Sequence, residues 1–219
     1  MAEPARTRRR PWREAPSDRA RVRRIPERGS YDRGAADEIL DSSWFCHVGF
    51  VQEGRPFVIP MLHARVDDTV YLHGSAASRL LGLGETEVCL AVTLVDGLVL
   101  ARSAFHHSAN YRSLVAFGLS REVPANEKET VLEAFSEKLL AGRWTDVRAP
   151  NEPELKATSA LAVTLEEFSV KSRSGPPGDE EEDYELDVWA GVLPVEQRVL
   201  EPIPDPRLKP GVQLPPYLR

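Results

Sequence analysis

The most informative features of this 219-residue sequence are first its absences. No apolar run approaches the twenty residues needed to span a bilayer, so a membrane partner is not expected. The arginine-rich N-terminus has no apolar segment of the secretory type, and a cytoplasmic location is the expectation. Only two cysteines occur, Cys46 in WFCHVGF and Cys89 in VCLAVTLV. Both sit in apolar runs, which fits buried free thiols in a reducing compartment and excludes a disulfide framework. No G-x-G-x-x-G follows a strand pattern, which excludes a Rossmann-type dinucleotide site. No G-x-S-x-G elbow is present, which argues against a Ser-His-Asp hydrolase. The five histidines, His47, His63, His73, His106 and His107, form no H-x-x-x-H or H-x-H pair, so no metal site is expected.

Charge is unevenly spread. Residues 1–28 hold ten arginines against four acidic residues, so with a total of −6 the remainder carries about twelve net negative charges. The stretch TRRRPWREAPSDRARVRR has no helical stripe and reads as a disordered basic arm over residues 1–29. Such an arm suits a polyanion, but the acidic body and the 7% aromatic content make nucleic acid an unfavoured partner. An acidic counterpart, DEEEDYELD, occupies residues 179–187. The last nineteen residues contain six prolines, so residues 196–219 read as an extended strap.

Residues 30–195 read as one domain. YDRGAADEILDSS gives a short helix with Ala36, Ile39 and Leu40 on one face. WFCHVGFV, PFVIPMLHARV and TVYLHG are strand-like, separated by turns at Gln52–Arg55 and Asp67-Asp68. Ser75–Leu83 reads as a small helix, and VCLAVTLV as a buried strand. Asp96-Gly97 is a hairpin signal before LVLARSAF. SLVAFGLSREV is a further strand, Asn126–Leu140 a long helix, and Lys156–Ser172 one long final strand. Short strands joined by hairpins, with few helices, predict a mainly β antiparallel barrel or sandwich.

Three stretches could carry chemistry. In YLHGSAASR a strand gives way to a helix start bearing Ser78 and Arg79, a combination suited to phosphate. ARSAFHHSANYRSLVAFG crowds Arg102, Ser103, His106, His107, Ser108, Asn110, Tyr111, Arg112 and Ser113 into a few residues. In FSVKSRSG, Lys171 and Arg173 project on one face of a strand.

The run of CHVGFV, RPFVIPMLHARVDDTVYLHGSAASR and VTLVDGLVLARSAFHHSANYRSLVAFG resembles the pyridoxamine 5'-phosphate oxidase-like flavoproteins, more narrowly their nitroimidazole-resistance branch. VWAGVLP adds to that likeness, which covers about residues 30–195. The resemblance implies an FMN-binding split β-barrel of antiparallel Greek-key type, with short peripheral helices, acting as a homodimer with FMN at the interface. It places Pro60, Met61 and Leu62 along the flavin ring and Ser78 with Arg79 on the phosphate. Tyr71 and His73 would face the cofactor, Tyr111, Arg112 and Ser113 would help build the interface, and Trp189 would close over a neighbouring subunit. The family commonly has lysine after the Ser-Arg pair, where this chain has Leu80; His63 or Lys171 would then compensate. The implied activity is an FMN-dependent oxidoreductase acting on a small planar substrate such as a nitroaromatic, with His73 and His106 as the hydrogen-bonding catalytic candidates. The alternative is a cofactor-binding protein without turnover, a flavin, deazaflavin or haem carrier or sensor; haem would take one histidine as axial ligand.

Overall fold

A computed structural model describes residues 14–218. Its frame is a nine-stranded sheet in which every pairing is antiparallel. In chain order the strands are β1 (Gly29–Ser30), β2 (Phe45–Gln52), β3 (Arg55–Val66), β4 (Thr69–Ser75) and β5 (Glu87–Leu100). They continue with β6 (Ser108–Glu122), β7 (Thr158–Thr164), β8 (Glu167–Arg173) and β9 (Gly191–Pro194). Their spatial order is β1-β8-β6-β7-β4-β3-β2-β5-β9, with an additional β5–β6 pairing that draws the sheet round on itself. Three helices accompany it: α1 (Arg33–Ser42), α2 (Lys128–Leu139) and α3 (Glu152–Ala157).

This corrects the expected mainly β split barrel. The architecture is mixed α/β, and the sheet keeps two open ends, at β1 and at β9, where a closed barrel has none. The strand patterns were legible because residues alternate inward and outward, but alternation does not reveal how the two ends of a sheet are disposed.

Local chemistry explains most elements. Asp32 caps α1 by accepting the Ala35 N–H at 2.9 Å, and Ala36, Ile39 and Leu40 turn inward as the sequence predicts. The β2–β3 turn takes Glu53 and Gly54 to positive φ, 52° and 73°, the backbone of a tight hairpin. The principal core joins these α1 residues to Val48, Phe50, Leu72, Leu90, Leu114, Leu161 and Phe168. A second cluster packs Val131 and Phe135 of α2 against Ala64, Ala160 and Ala162.

Three elements differ from the sequence expectation. Asp96-Gly97 makes no hairpin; β5 runs straight through it, with a register shift against β6 between Val95 and Gly97. Glycine is needed there because a Cβ would lie 2.9 Å from Val192 Cγ1 and 3.1 Å from the Leu193 carbonyl, on the strand that pairs from the other side. Gly97→Ala is therefore expected to push β9 off β5 and lower stability by about 1–3 kcal/mol, measured by urea unfolding. The expected strand at Lys156–Ser172 is instead the end of α3 followed by β7 and β8. Asn151 and Glu154 form a reciprocal capping box that starts α3. The strand is then interrupted at Leu165 and Glu166, where the Leu165 N–H donates to the Asp68 carbonyl at 2.9 Å, and the chain continues along β6 in the same direction, as β8. Finally, the expected helix at Ser75–Leu83 reduces to turns and a 3-10 turn at Leu81–Leu83.

Of the basic arm, residues 1–13 lie outside the description. The following stretch is fastened to the body by charge: Arg19 donates to Glu167 and, at 3.3 Å, to Glu87, and lies over the Phe117 ring.

Candidate functional site

The β2–β3 hairpin and the segment after β4 together border a cleft of about 610 Å³ lined by Gln52, Glu53, Arg55, Phe57, Ala77 and Arg79. Arg79 stands with its guanidinium carbon 4.2 Å from the centroid of the Phe57 ring. Phe57 is itself stacked on Phe50, 5.6 Å away, so the platform is tied to the core. Among the described residues no carboxylate lies within 4.0 Å of Arg55 or Arg79. An exposed arginine held over an aromatic face, with its N–H fork uncommitted, is matched to an anionic group.

The segment presenting Arg79 is shaped by short bonds. Ser75 Oγ accepts the Ala77 N–H at 3.2 Å, and the Ser75 carbonyl accepts the Ser78 N–H at 2.8 Å. Leu80 is wholly buried and pins the turn from below. That explains the departure from lysine: this position points into the core, where an ammonium would be costly. With no α-helix here there is no macrodipole to invoke, and the positive charge at the cleft comes from Arg79 and Arg55.

The other sequence-derived candidates are dispersed. Pro60, Met61 and Leu62 continue along β3, opposite His47, Cys46 and Phe45 of β2. His63 is buried under α1, where its Nε2–H donates to the Leu40 carbonyl at 3.0 Å; its Nδ1 has no partner. Burial pushes its pKa down to about 4, so the ring is neutral. Tyr71 and His73 lie on β4 near α2; the His73 ring meets Phe135 edge-on at 4.2 Å, and burial lowers its pKa. Tyr111, Arg112 and Ser113 lie on β6, and Arg112 is already engaged by Asp96 at 2.9 and 3.1 Å and Glu38 at 2.8 Å. Ser113 Oγ donates to the Lys171 carbonyl, and Lys171 Nζ donates to the Arg24 carbonyl at 2.8 Å. Lys171 is thus committed to the N-terminal stretch rather than to the segment carrying Arg79. Trp189 is exposed beside Gly191 at the start of β9.

The crowded stretch 101–118 turns out to be largely scaffolding. Asp179 accepts the Arg102 and Ser103 N–H groups at 2.9 and 3.3 Å, and Arg102 Nη1 donates to its other oxygen at 3.1 Å. Asn110 donates to the Gly175 carbonyl at 3.1 Å, and the Ala101 N–H donates to His107 Nδ1 at 2.9 Å. These polar residues fasten the loop carrying the acidic stretch to the end of β5. His106 stands 3.6 Å from Glu180 and edge-on to Phe105. The cleft-lining residues missed by sequence reading are Phe57, Arg55 and Gln52; the only available signal was their place in the hairpin turn QEGRPF. Among the described residues no three His, Cys, Asp or Glu side chains gather as a metal site, and no helix is long and apolar enough to cross a membrane.

The family model for pyridoxamine 5'-phosphate oxidase matches residues 32–172. The chain belongs to that family. Within known structures it is similar to the flavocytochrome Anf3 of Azotobacter vinelandii, with 41% identity and a TM-score of 0.89, covering 94% of this chain and 97% of that one. It is also similar to the FAD and heme binding protein of Mycobacterium smegmatis, with 34% identity and a TM-score of 0.84, covering 87% and 95%. A structure described as a 5-nitroimidazole antibiotic resistance protein of Bacteroides thetaiotaomicron shares 22% identity and a TM-score of 0.53, covering 64% and 83%, which shows the fold alone. No curated protein matches the sequence. A flavin-binding fold of the pyridoxamine 5'-phosphate oxidase family is thus established, while the narrower nitroimidazole-resistance branch is matched only in outline.

Proposed function

We propose that this chain binds a flavin nucleotide and a haem as a homodimeric redox carrier, in preference to a nitroaromatic reductase. Arg79, uncommitted to any carboxylate and lying over Phe57 in an open cleft, carries the flavin part of this proposal. A phosphate fits there: Arg79 supplies a planar donor fork, Arg55 a second positive charge at the rim, and Phe57 an aromatic wall. Ser78 beside Arg79 stays in the proposed phosphate site, while His63 and Lys171 leave it, His63 because it is buried in the core and Lys171 because its ammonium donates to the Arg24 carbonyl. Extensive similarity to one flavocytochrome and one FAD and heme binding protein supports the two-cofactor form. When bound, the flavin supplies hydride or single-electron transfer and the haem single-electron transfer.

An axial histidine must be neutral with a free ring nitrogen. His107 is a poor candidate, because its Nδ1 accepts the Ala101 N–H and its proton therefore sits on Nε2. His63 is sealed under α1. His47, His73 and His106 remain, and burial favours the neutral form of His73. Alanine replacement of each of the five, read by the Soret band of the purified protein, tests the proposal. Loss of the band is expected for at least one of His47, His73 and His106, with His107→Ala retaining it. A Soret band surviving all three changes, or none in the parent protein, removes haem from the proposal.

A further inference from the structure

The Pro-rich C-terminal segment is held at both ends and exposed in between, with Val195 to Val199 bordering a cleft beside Ser42, Trp44 and Asp96 of the same chain. At one end β9 pairs with β5, and the Val195 N–H donates to the Asp96 carbonyl at 3.1 Å. At the other, the Tyr217 hydroxyl donates to Asp146 and accepts from Arg143 Nη1 at 3.1 Å, just beyond α2. Every residue from Leu193 to Leu214 is exposed, including Val199 at 74%, Leu200 at 69% and Ile203 at 94%. A tail that only needed to stay in water would not require large aliphatic side chains, a second anchor and prolines at 202, 204, 206 and 210. Prolines and a tether at each end lower the entropy lost when such a segment docks.

The protomer also offers a bare apolar floor. On β2 and β3 the outward residues Phe45, Val51, Pro56, Val58 and Pro60 are exposed, with His47 the polar residue among them; cross-strand register places Val51 opposite Pro56, Gly49 opposite Val58 and His47 opposite Pro60. The amount of uncovered surface indicates what covers both. The chain exposes 15257 Å² at 24.4 kDa, whereas a compact monomer of that mass exposes about 10,000 Å². Allowing ~160 Å² for each of the fourteen residues outside the description, about 3,000 Å² of excess remains. Two copies together therefore hold about 6,000 Å² of such excess, enough for an obligate dimer, whose interfaces bury about 2,000–5,000 Å² counted over both partners. One symmetric contact satisfies both needs, since each copy supplies a strap without a floor and a floor without a strap.

We infer that the strap Val195–Pro215 of one copy lies across the β2–β3 face of a second copy and clamps the dimer. The inference rests on the dimer of the proposed function and not on its cofactors. Its test uses the full-length protein with Val199→Asp, Leu200→Asp and Ile203→Asp combined; these side chains are exposed in the protomer, so the variant keeps its fold. Sedimentation velocity is expected to show a dimer for the parent and a dissociation constant raised ~100-fold or more in the variant, the scale of losing interface anchors. In mixed samples, a Val58→Cys chain and a heavier tagged Ile203→Cys chain are expected to form a disulfide-linked pair under mild oxidation. A parent dimer left intact by the triple change, with no mixed pair, overturns the clamp while leaving the dimer standing. A monomeric parent overturns both, as does a monomer that sediments with phosphatidylglycerol vesicles, which would assign the strap to a lipid surface. Flavin absorbance in the same samples reports separately on the cofactor.

Discussion

Apo-protein carrying Arg79→Ala is expected to hold FMN ~10- to 150-fold more weakly than the parent, with its fold unchanged. The range corresponds to about 1.5–3 kcal/mol, the value of one hydrogen bond to a charged group. Arg79 is exposed, so its loss leaves no buried charge and no cavity, and the penalty falls on binding alone. Quenching of flavin fluorescence on titration measures it. Arg112→Ala is the informative control. Its guanidinium is already occupied by Asp96 and Glu38, so its removal should leave flavin affinity within twofold while loosening the contact between α1 and β6. Unchanged affinity in the Arg79 variant would dissociate that residue from the site.

The second large effect is on acid stability. Burial in the core lowers the pKa of His63 to about 4, with the nearby Lys138 ammonium adding to the shift against the opposing bond to the Leu40 carbonyl. Unfolding releases the ring to its ordinary value near 6.5. Between those two values the unfolded chain binds a proton that the folded chain does not, so stability falls as pH drops through this window. The loss is about 3 kcal/mol by pH 4, and none of it is present at pH 7. Urea midpoints measured from pH 7 to pH 4 should therefore fall more steeply for the parent than for His63→Gln, which retains an N–H for the Leu40 carbonyl but cannot be protonated in this range. Parallel slopes would show that other groups control the acid transition.

The sequence exposed local periodicity well and long-range closure poorly. Ala36, Ile39 and Leu40 announced the buried face of α1 because a helix repeats its contacts every three to four residues. The first three long strands were equally plain. Asp96-Gly97 misled, because the glycine serves close approach of β9 rather than a turn, and no local pattern announces a partner almost a hundred residues away. The sheet's open ends, which correct the split barrel, depend likewise on β1 and β9, two short strands with little signal of their own. At the site, Arg79 was legible from the Ser-Arg pair, whereas Phe57 was not: its ring reaches Arg79 only once β3 and the segment after β4 come together. The dense polar stretch 101–118 attracted a functional interpretation, yet much of it binds Asp179, Gly175 and backbone groups. Chemistry-bearing residue types and loop-fastening ones are the same types, and only geometry separates them.

The most direct measurement is the absorbance spectrum of freshly purified protein, followed by heat release and identification of whatever pigment comes free. A flavin spectrum together with a Soret band, and a flavin nucleotide in the supernatant, is the predicted result. A colourless protein that takes up neither added FMN nor FAD would contradict the central claim that the cleft under Arg79 receives the phosphate end of a flavin.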